Sequence, residues 1–402
     1  MAIYSLLKAS LVSPLITFFK DSRSIGIVLL ISTILSILLS NFPLSNEWYN
    51  HFWVENIDHT GNHYWSIGIV SLPNSPLYFI NDFFMSFFFL LAGMEIKREL
   101  LTGELASIKQ SILPVGAAIG GMIIPAVIYW LICYNSTDIK GWAIPMATDI
   151  AFTLGVASLL GKKVPTGLKV FITALAIIDD LGAILIIALF YGSHIELIYL
   201  LFAFIIIVAL YGLNYLKIPF GWYYWIMGIL LWYFVYHSGV HATIAGVIFA
   251  FTIPSKSLNN LELRLHYPVY FIIMPLFVLS NTALIFPPNM LNIFSNKYTW
   301  GIIAGLFIGK PLGICTAVYV MIKKKWSGLP SDSSWYSMIG ISILAGIGFT
   351  MSIFISTLAF GDKIQQDVAK MAVLVASFLS MTIGYLWFVF PKSSKMIENV
   401  EA

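Results

Sequence analysis

About twelve stretches of this 402-residue sequence are long and apolar enough to cross a bilayer, and that repetition constrains the fold more than any other feature. Lipid offers the backbone no hydrogen-bond partners, so a run of about 20 apolar residues is read as a helix that closes its own bonds. The approximate limits are 25–39, 77–101, 111–132, 142–160, 167–191 and 196–216, then 220–236, 239–253, 267–286, 299–322, 336–359 and 368–390. Several are short or interrupted by Gly and Pro. Composition agrees: 10% of the residues are charged and 59% hydrophobic, whereas soluble domains carry roughly 25% charge. The expected fold class is an all-α polytopic membrane protein of about 12 transmembrane helices.

The distribution of basic residues orients the spans. With both termini cytoplasmic, 17 of the 22 Lys and Arg fall on one side, four on the other, and Lys310 lies within a span. The first twenty residues form a weakly amphipathic stretch without a clear small-residue cleavage site, so they read as a retained arm. The long outer connection, 40–76, carries His51, His59 and His63. Its "HTGNHYWS" reads as a turn between short strands more readily than as a metal site, and hairpins there would be able to pair across a dimer. Cys133 and Cys315 lack ligand or redox spacing and read as packing residues. No basic face exists to follow phosphates, so no nucleic-acid partner is expected. No Walker-type phosphate loop is present either, which argues against transport powered by the chain's own ATP hydrolysis.

Against this apolar background a few charges stand out. Asp82, Asp149, Asp179, Asp180 and Lys310 fall within spans, where an ionisable group costs at least about 2.5–3.5 kcal/mol. One Lys with one Asp would be an ordinary helix-joining pair, but three central carboxylates exceed what one lysine requires. In "ALAIIDDLGAILII" (174–187) Asp179 and Asp180 are adjacent. On a helix they point about 100° apart, so they address different neighbours from one depth. Burial and mutual repulsion prevent both from staying charged without a cation. The site therefore holds protons or a hard cation such as Na+ or Li+, and competition between the two is the core of a cation/proton exchanger.

Two spans are interrupted at corresponding places. "GWAIPMATDIAFTLG" (141–155) contains Pro145 and then Thr148-Asp149, and "ILAGIGFTMSIFIST" (343–357) contains Gly346 and Gly348. Such paired breaks expose helix ends inside the membrane. Asp149 would then offset facing N-termini, and Lys310 would offset facing C-termini or pair with an aspartate. Pro311 disfavours helical geometry at Lys310.

The stretches "INDFFMSFFFLLAGMEIKREL", "MATDIAFTLGV", "ALAIIDDLGAILIIALFY", "SGVHATIAGV", "GKPLGI" and "GIGFTMSIFI" occur here in that order. In them, and along nearly its whole length, the chain resembles the NhaA-type sodium/proton antiporters of bacterial inner membranes. The resemblance implies inverted repeats with two broken crossing helices (spans 4 and 11), an architecture for which that family is itself a standard example. It implies that Asp180 is the main Na+ ligand and Asp179 the neighbouring proton carrier paired with Lys310, with Thr148 and Asp149 supporting the site. Glu95, Arg98, Glu99 and Glu262 match a cytoplasmic cluster linked to pH activation, and His241 matches a histidine that influences the pH response. Glu95, Arg98 and Glu99 are also spaced as a solvated salt-bridge face, and His241 also reads as a hydrogen-bonded core residue. Family members can carry more histidines in the "LELRLHYP" region, where this chain has only His266.

The implied organisation follows. Residues 1–110 hold the N-terminal arm, spans 1–2 and the outer loop of a panel and dimer domain. Residues 111–191 form core repeat one (spans 3–5), 192–298 the rest of the panel (spans 6–9), 299–390 core repeat two (spans 10–12) and 391–402 a cytoplasmic tail. The expected function is a secondary antiporter, not an enzyme. It exports Na+ or Li+ against inward protons, electrogenically and under pH control, as a homodimer without cofactors in the inner membrane. A Na+-coupled solute symporter would need an organic-substrate cavity. An intramembrane aspartyl protease would want its acids on separate helices in Tyr-Asp and Gly-x-Gly-Asp contexts, which do not occur. Asp82, close to the outer interface, is a candidate for lining an access path.

Overall fold

Helices carry almost all of the structure, a computed structural model that describes residues 22–55, 64–67, 70–192, 195–287 and 290–390. In chain order they are α1 (Ser22–Asn41), α2 (Asn46–Val54), α3 (Pro76–Thr102), α4 (Ile108–Ile132), a 3₁₀ helix (Thr137–Met146), α5 (Ile150–Leu159), α6 (Thr166–Phe190) and α7 (Leu197–Tyr215). Then follow α8 (Trp222–His237), α9 (Ile244–Thr252), α10 (Ser255–Asn281), α11 (Lys297–Lys323), α12 (Trp335–Leu344), α13 (Phe349–Ala359) and α14 (Lys363–Val389). One antiparallel hairpin, β1 (Tyr64–Ile67) with β2 (Val70–Pro73), pairs Tyr64 with Pro73 and Ile67 with Val70. Its first strand contains the Tyr64-Trp65-Ser66 end of the stretch read as a turn between strands; His59 and His63 lie outside the described residues.

Eight helices are long and apolar enough to span, or ten when the two bent pairs are each taken as one span. The remaining two expected spans, 220–236 and 239–253, are helices of 16 and 9 residues, short of a full crossing by length. Apolar faces point outward as a membrane requires. On α7 Leu197, Phe204, Val208 and Tyr211 are all more than half exposed. Inside, helices approach at small residues, where backbones come close. A Cβ on Gly246 of α9 would lie 2.1 Å from the Ser86 carbonyl oxygen of α3, and one on Gly313 of α11 2.1 Å from that of Gly120 on α4.

Three boundaries differ from the sequence expectation. Helix α10 begins at Ser255, twelve residues before the expected span, and ends at Asn281. The amphipathic turn "SKSLNNLELRLHYP" is helical although its polarity excludes it from an apolar window, so Glu262 rides on a helix. Helix α14 begins at Lys363, where the Asp362 carboxylate accepts from Gln365 N. Lys310 is helical (φ −59°, ψ −57°) despite Pro311. A π-helical turn over Gly305–Gly309 precedes it and Pro311 sits in the first turn of the α segment, where a missing N–H costs nothing.

Lys97 departs further. Counted by sequence among the cytoplasmic charges, it is buried, and its ammonium donates to the carbonyls of Phe251 (2.7 Å) and Ile253 (2.5 Å). These are orphan acceptors at the C-terminal end of α9, where a cation is favoured. Lys97→Met is therefore expected to destabilise the α3–α9 contact by about 2 kcal/mol, seen as a lower thermal unfolding midpoint of the purified protein. An unchanged midpoint would mean that water replaces the ammonium there.

Candidate functional site

The two interrupted segments meet at their breaks. The 3₁₀ helix and α5 diverge by 42°, α12 and α13 by 47°. The residues at the two breaks touch through a backbone hydrogen bond from Asp149 N to Ile347 O of 2.7 Å. Four helix ends thus lie inside the protein; the two C-terminal ends each find a hydroxyl from the opposite segment, and the two N-terminal ends share one carboxylate. Ser352 of α13 donates to Ile144 O at the end of the 3₁₀ helix (2.7 Å), and Thr153 of α5 to Leu344 O at the end of α12 (3.3 Å). Both hydroxyls sit on the fourth residue of their helix, so the capping is reciprocal.

At the two N-termini the partner is one carboxylate. Asp149 is the N-cap of α5, its Oδ1 accepting from Phe152 N at 3.0 Å. Its Oδ2 accepts from Thr350 N at the start of α13 (3.0 Å) and from the Thr350 hydroxyl. One buried negative charge thus faces the positive ends of two helices. Thr350 was not singled out by sequence reasoning; its place in the first turn after the second break, two residues beyond Gly348, is the signal that would have found it. Gly346 and Gly348 have no positive φ and serve close approach. A Cβ on Gly346 would sit 2.5 Å from the Leu306 carbonyl oxygen of α11, and one on Gly348 2.8 Å from the Leu306 side chain.

Helix α6 brings Asp179 and Asp180 against this crossing, both fully buried or nearly so. Adjacent on the helix, they face different surroundings. Asp179 Oδ2 pairs with the Lys310 ammonium from α11, both side chains wholly buried. The same oxygen lies 2.8 Å from the Thr148 hydroxyl, which is also 3.0 Å from Ala345 O at the end of α12. Asp180 instead lines a small cavity with Asp149, Glu95, Tyr270, Met274 and Thr350. Asp179 Oδ1 and Asp180 Oδ1 are buried without a hydrogen-bond partner. A buried carboxylate oxygen without a donor is costly unless a proton or a cation completes it. Hard oxygen ligands at this level suit a small alkali cation.

The residues matched to a pH response do not form one group. Arg98 pairs with Glu99 on α3 (3.2 Å) and with Glu262 on α10 (3.2 Å), the latter without hydrogen-bond alignment. Glu95, one turn deeper, belongs to the cavity of Asp180. His241 stands elsewhere, before α9, with Nε2 2.6 Å from Tyr191 O, and lines a second, larger cavity together with Asp82. Phe354 lines this larger cavity. It is one turn along α13 from Thr350 and buried between Phe89 and Phe277, with ring centroids 5.4 and 6.2 Å away.

The chain is similar to known proteins along most of its length. Residues 16–388 match the family described as Na+/H+ antiporter 1. The chain is 46% identical over 378 residues to the Na(+)/H(+) antiporter NhaA 2 of Flavobacterium johnsoniae, covering 92% of this chain and 90% of that protein. It is 46% identical over 390 residues to the Na(+)/H(+) antiporter NhaA 1 of Clostridium beijerinckii, covering 94% and 95%. It is 44% identical over 379 residues to the Na(+)/H(+) antiporter NhaA of Salmonella arizonae, covering 92% and 96%.

Proposed function

The chain belongs to the Na+/H+ antiporter 1 family, and from that membership we propose that Na+ and H+ compete at Asp179 and Asp180. The protein is a multi-pass membrane antiporter of Na+ and H+, a secondary transporter and not an enzyme. The observation that carries the site assignment is the pair of orphaned oxygens, Asp179 Oδ1 and Asp180 Oδ1, beside a carboxylate already committed to two helix ends. Asp149 holds the crossing together and offers little free charge. Asp180 is the principal ligand for Na+, with Li+ as a second substrate. Asp179 carries a proton in exchange with its bond to Lys310. When the site faces the cytoplasm the carboxylates lose protons and take Na+; when it faces outward Na+ leaves and protons return.

Two carboxylates that each hold a proton allow more protons than sodium ions per cycle, so transport is electrogenic. The Arg98, Glu99 and Glu262 cluster, with Glu95 below it, adjusts the cytoplasmic side to pH, and His241 the other side. Residues 111–191 and 299–390 move as a core against a panel of 1–110 and 192–298. The hairpin of 64–73 joins two protomers as a homodimer in the lipid of the bacterial inner membrane, with both termini cytoplasmic. The test is exchange in vesicles: added Na+ or Li+ should dissipate an imposed pH gradient between about pH 6.5 and 8.5, and faster when the membrane potential is clamped than when it is left to build up. No Na+-dependent change would refute the assignment.

A further inference from the structure

The second cavity, of ≈ 470 Å³, lies between the start of α3, the outer end of α13 and the first two turns of α14. Its charged lining groups are Asp82, His241, Lys363, Asp367 and Lys370. Lys363 is exposed at the mouth and Asp367 half-buried, whereas Lys370 is 5% exposed. Seven residues of helix place Lys370 about 10 Å deeper than Lys363. Among the described residues its ammonium makes no hydrogen bond and no ion pair within 4 Å, although it lines the cavity wall. A long cationic side chain near a helix end ordinarily snorkels toward water; this one is held inside.

We propose that Lys370 sets the ease of cation release on the outer side, its ammonium weakening the hold of the cavity on Na+ that has reached it. The inference rests on reading the protein as a Na+ exporter with residue 363 facing outward. Asp82 and Asp367 alone would make the cavity a cation trap. Lys363 at the mouth is screened by solvent, within a Debye length of about 8 Å. Lys370 is at depth, where screening is weak and its charge acts on a cation at close range. Fixed charge of one sign in a low-dielectric cleft sets the local ion concentration, and here it offsets the carboxylates. An exporter gains from that offset, because Na+ delivered outside would otherwise linger and rebind.

The test is two-sided Na+ kinetics in reconstituted vesicles of determined orientation, with exchange followed at fixed internal Na+ and rising external Na+. Lys370→Met is expected to be inhibited by external Na+ at concentrations about three- to tenfold lower than wild type, a range set by one charge acting through partial screening. The half-saturating internal Na+ stays unchanged. Lys370→Arg should behave as wild type, and Asp367→Asn should shift external inhibition to higher Na+. Were Lys370→Met to fail to fold, the opposite shift in Asp367→Asn and the wild-type behaviour of Lys370→Arg would still decide. Equal changes on both faces, or no change in external inhibition, would overturn the proposal. A wild-type protein without any Na+/H+ exchange would overturn the functional reading itself.

Discussion

Asp180→Asn is expected to reduce Na+/H+ exchange by about two orders of magnitude or more, because a Na+ ion moved from water to a site without a free formal charge is left uncompensated. The substitution keeps the size of the side chain and removes only its charge. Asp149, the other carboxylate in that cavity near the crossing, already accepts from Phe152 N and Thr350 N and cannot replace it. Asp180 itself makes no bond through Oδ1, so the fold loses nothing with the charge. The thermal midpoint should therefore be unchanged or higher while Na+-dependent collapse of a pH gradient disappears. Retained exchange would take Asp180 out of the site and leave the fold untouched.

Lys310→Met should have the opposite signature, a stability loss of about 3–5 kcal/mol, the scale expected when one partner of a buried ion pair is removed. Asp179 would then keep the Thr148 hydroxyl but lose its ammonium while remaining wholly buried. The decisive comparison is the same substitution in an Asp179→Asn background, where no buried charge is stranded. There Lys310→Met should cost little, and thermal unfolding of the four purified proteins measures the coupling. An equal loss in both backgrounds would show that Lys310 stabilises by packing against α4 at Gly121 and not by its charge.

Much of the site was readable along the chain because the membrane makes charge conspicuous. In an apolar background every ionisable residue carries a visible cost, so Asp149, Asp179, Asp180 and Lys310 stood out without any knowledge of contacts. The interruptions at Pro145 and at Gly346 and Gly348 were equally open, since breaks in a long apolar run have few other uses. Partners were less open. Thr350 is an unremarkable residue for a membrane helix, and only the meeting of two breaks makes it a ligand of Asp149. Lys97 and Lys370 counted as loop or near-loop charges, one on each side, yet both are buried. Hydropathy measures a side chain's average preference and says nothing of a helix end or cavity wall waiting for it.

Boundaries failed for a related reason. An apolar window ends where polarity begins, but a helix continues until its backbone bonds find a cap. That is why α14 starts at Lys363, where Asp362 caps it, whereas α10 starts at Ser255 directly after Pro254. Proline misled at Lys310 because the preceding π-helical turn makes room for the ring. By itself, then, the sequence determined the class of fold, the membrane solvent, the acids that have to bind something and the two places where helices break. Tertiary structure alone decided which end faces which charge: Asp149 to two N-termini, Asp179 to Lys310, Asp180 to the cavity with Glu95. Composition and spacing set the cost of each group in lipid, but the interaction that offsets the cost falls off within a few ångströms. Only the packing of helices distant in sequence brings two groups within that range.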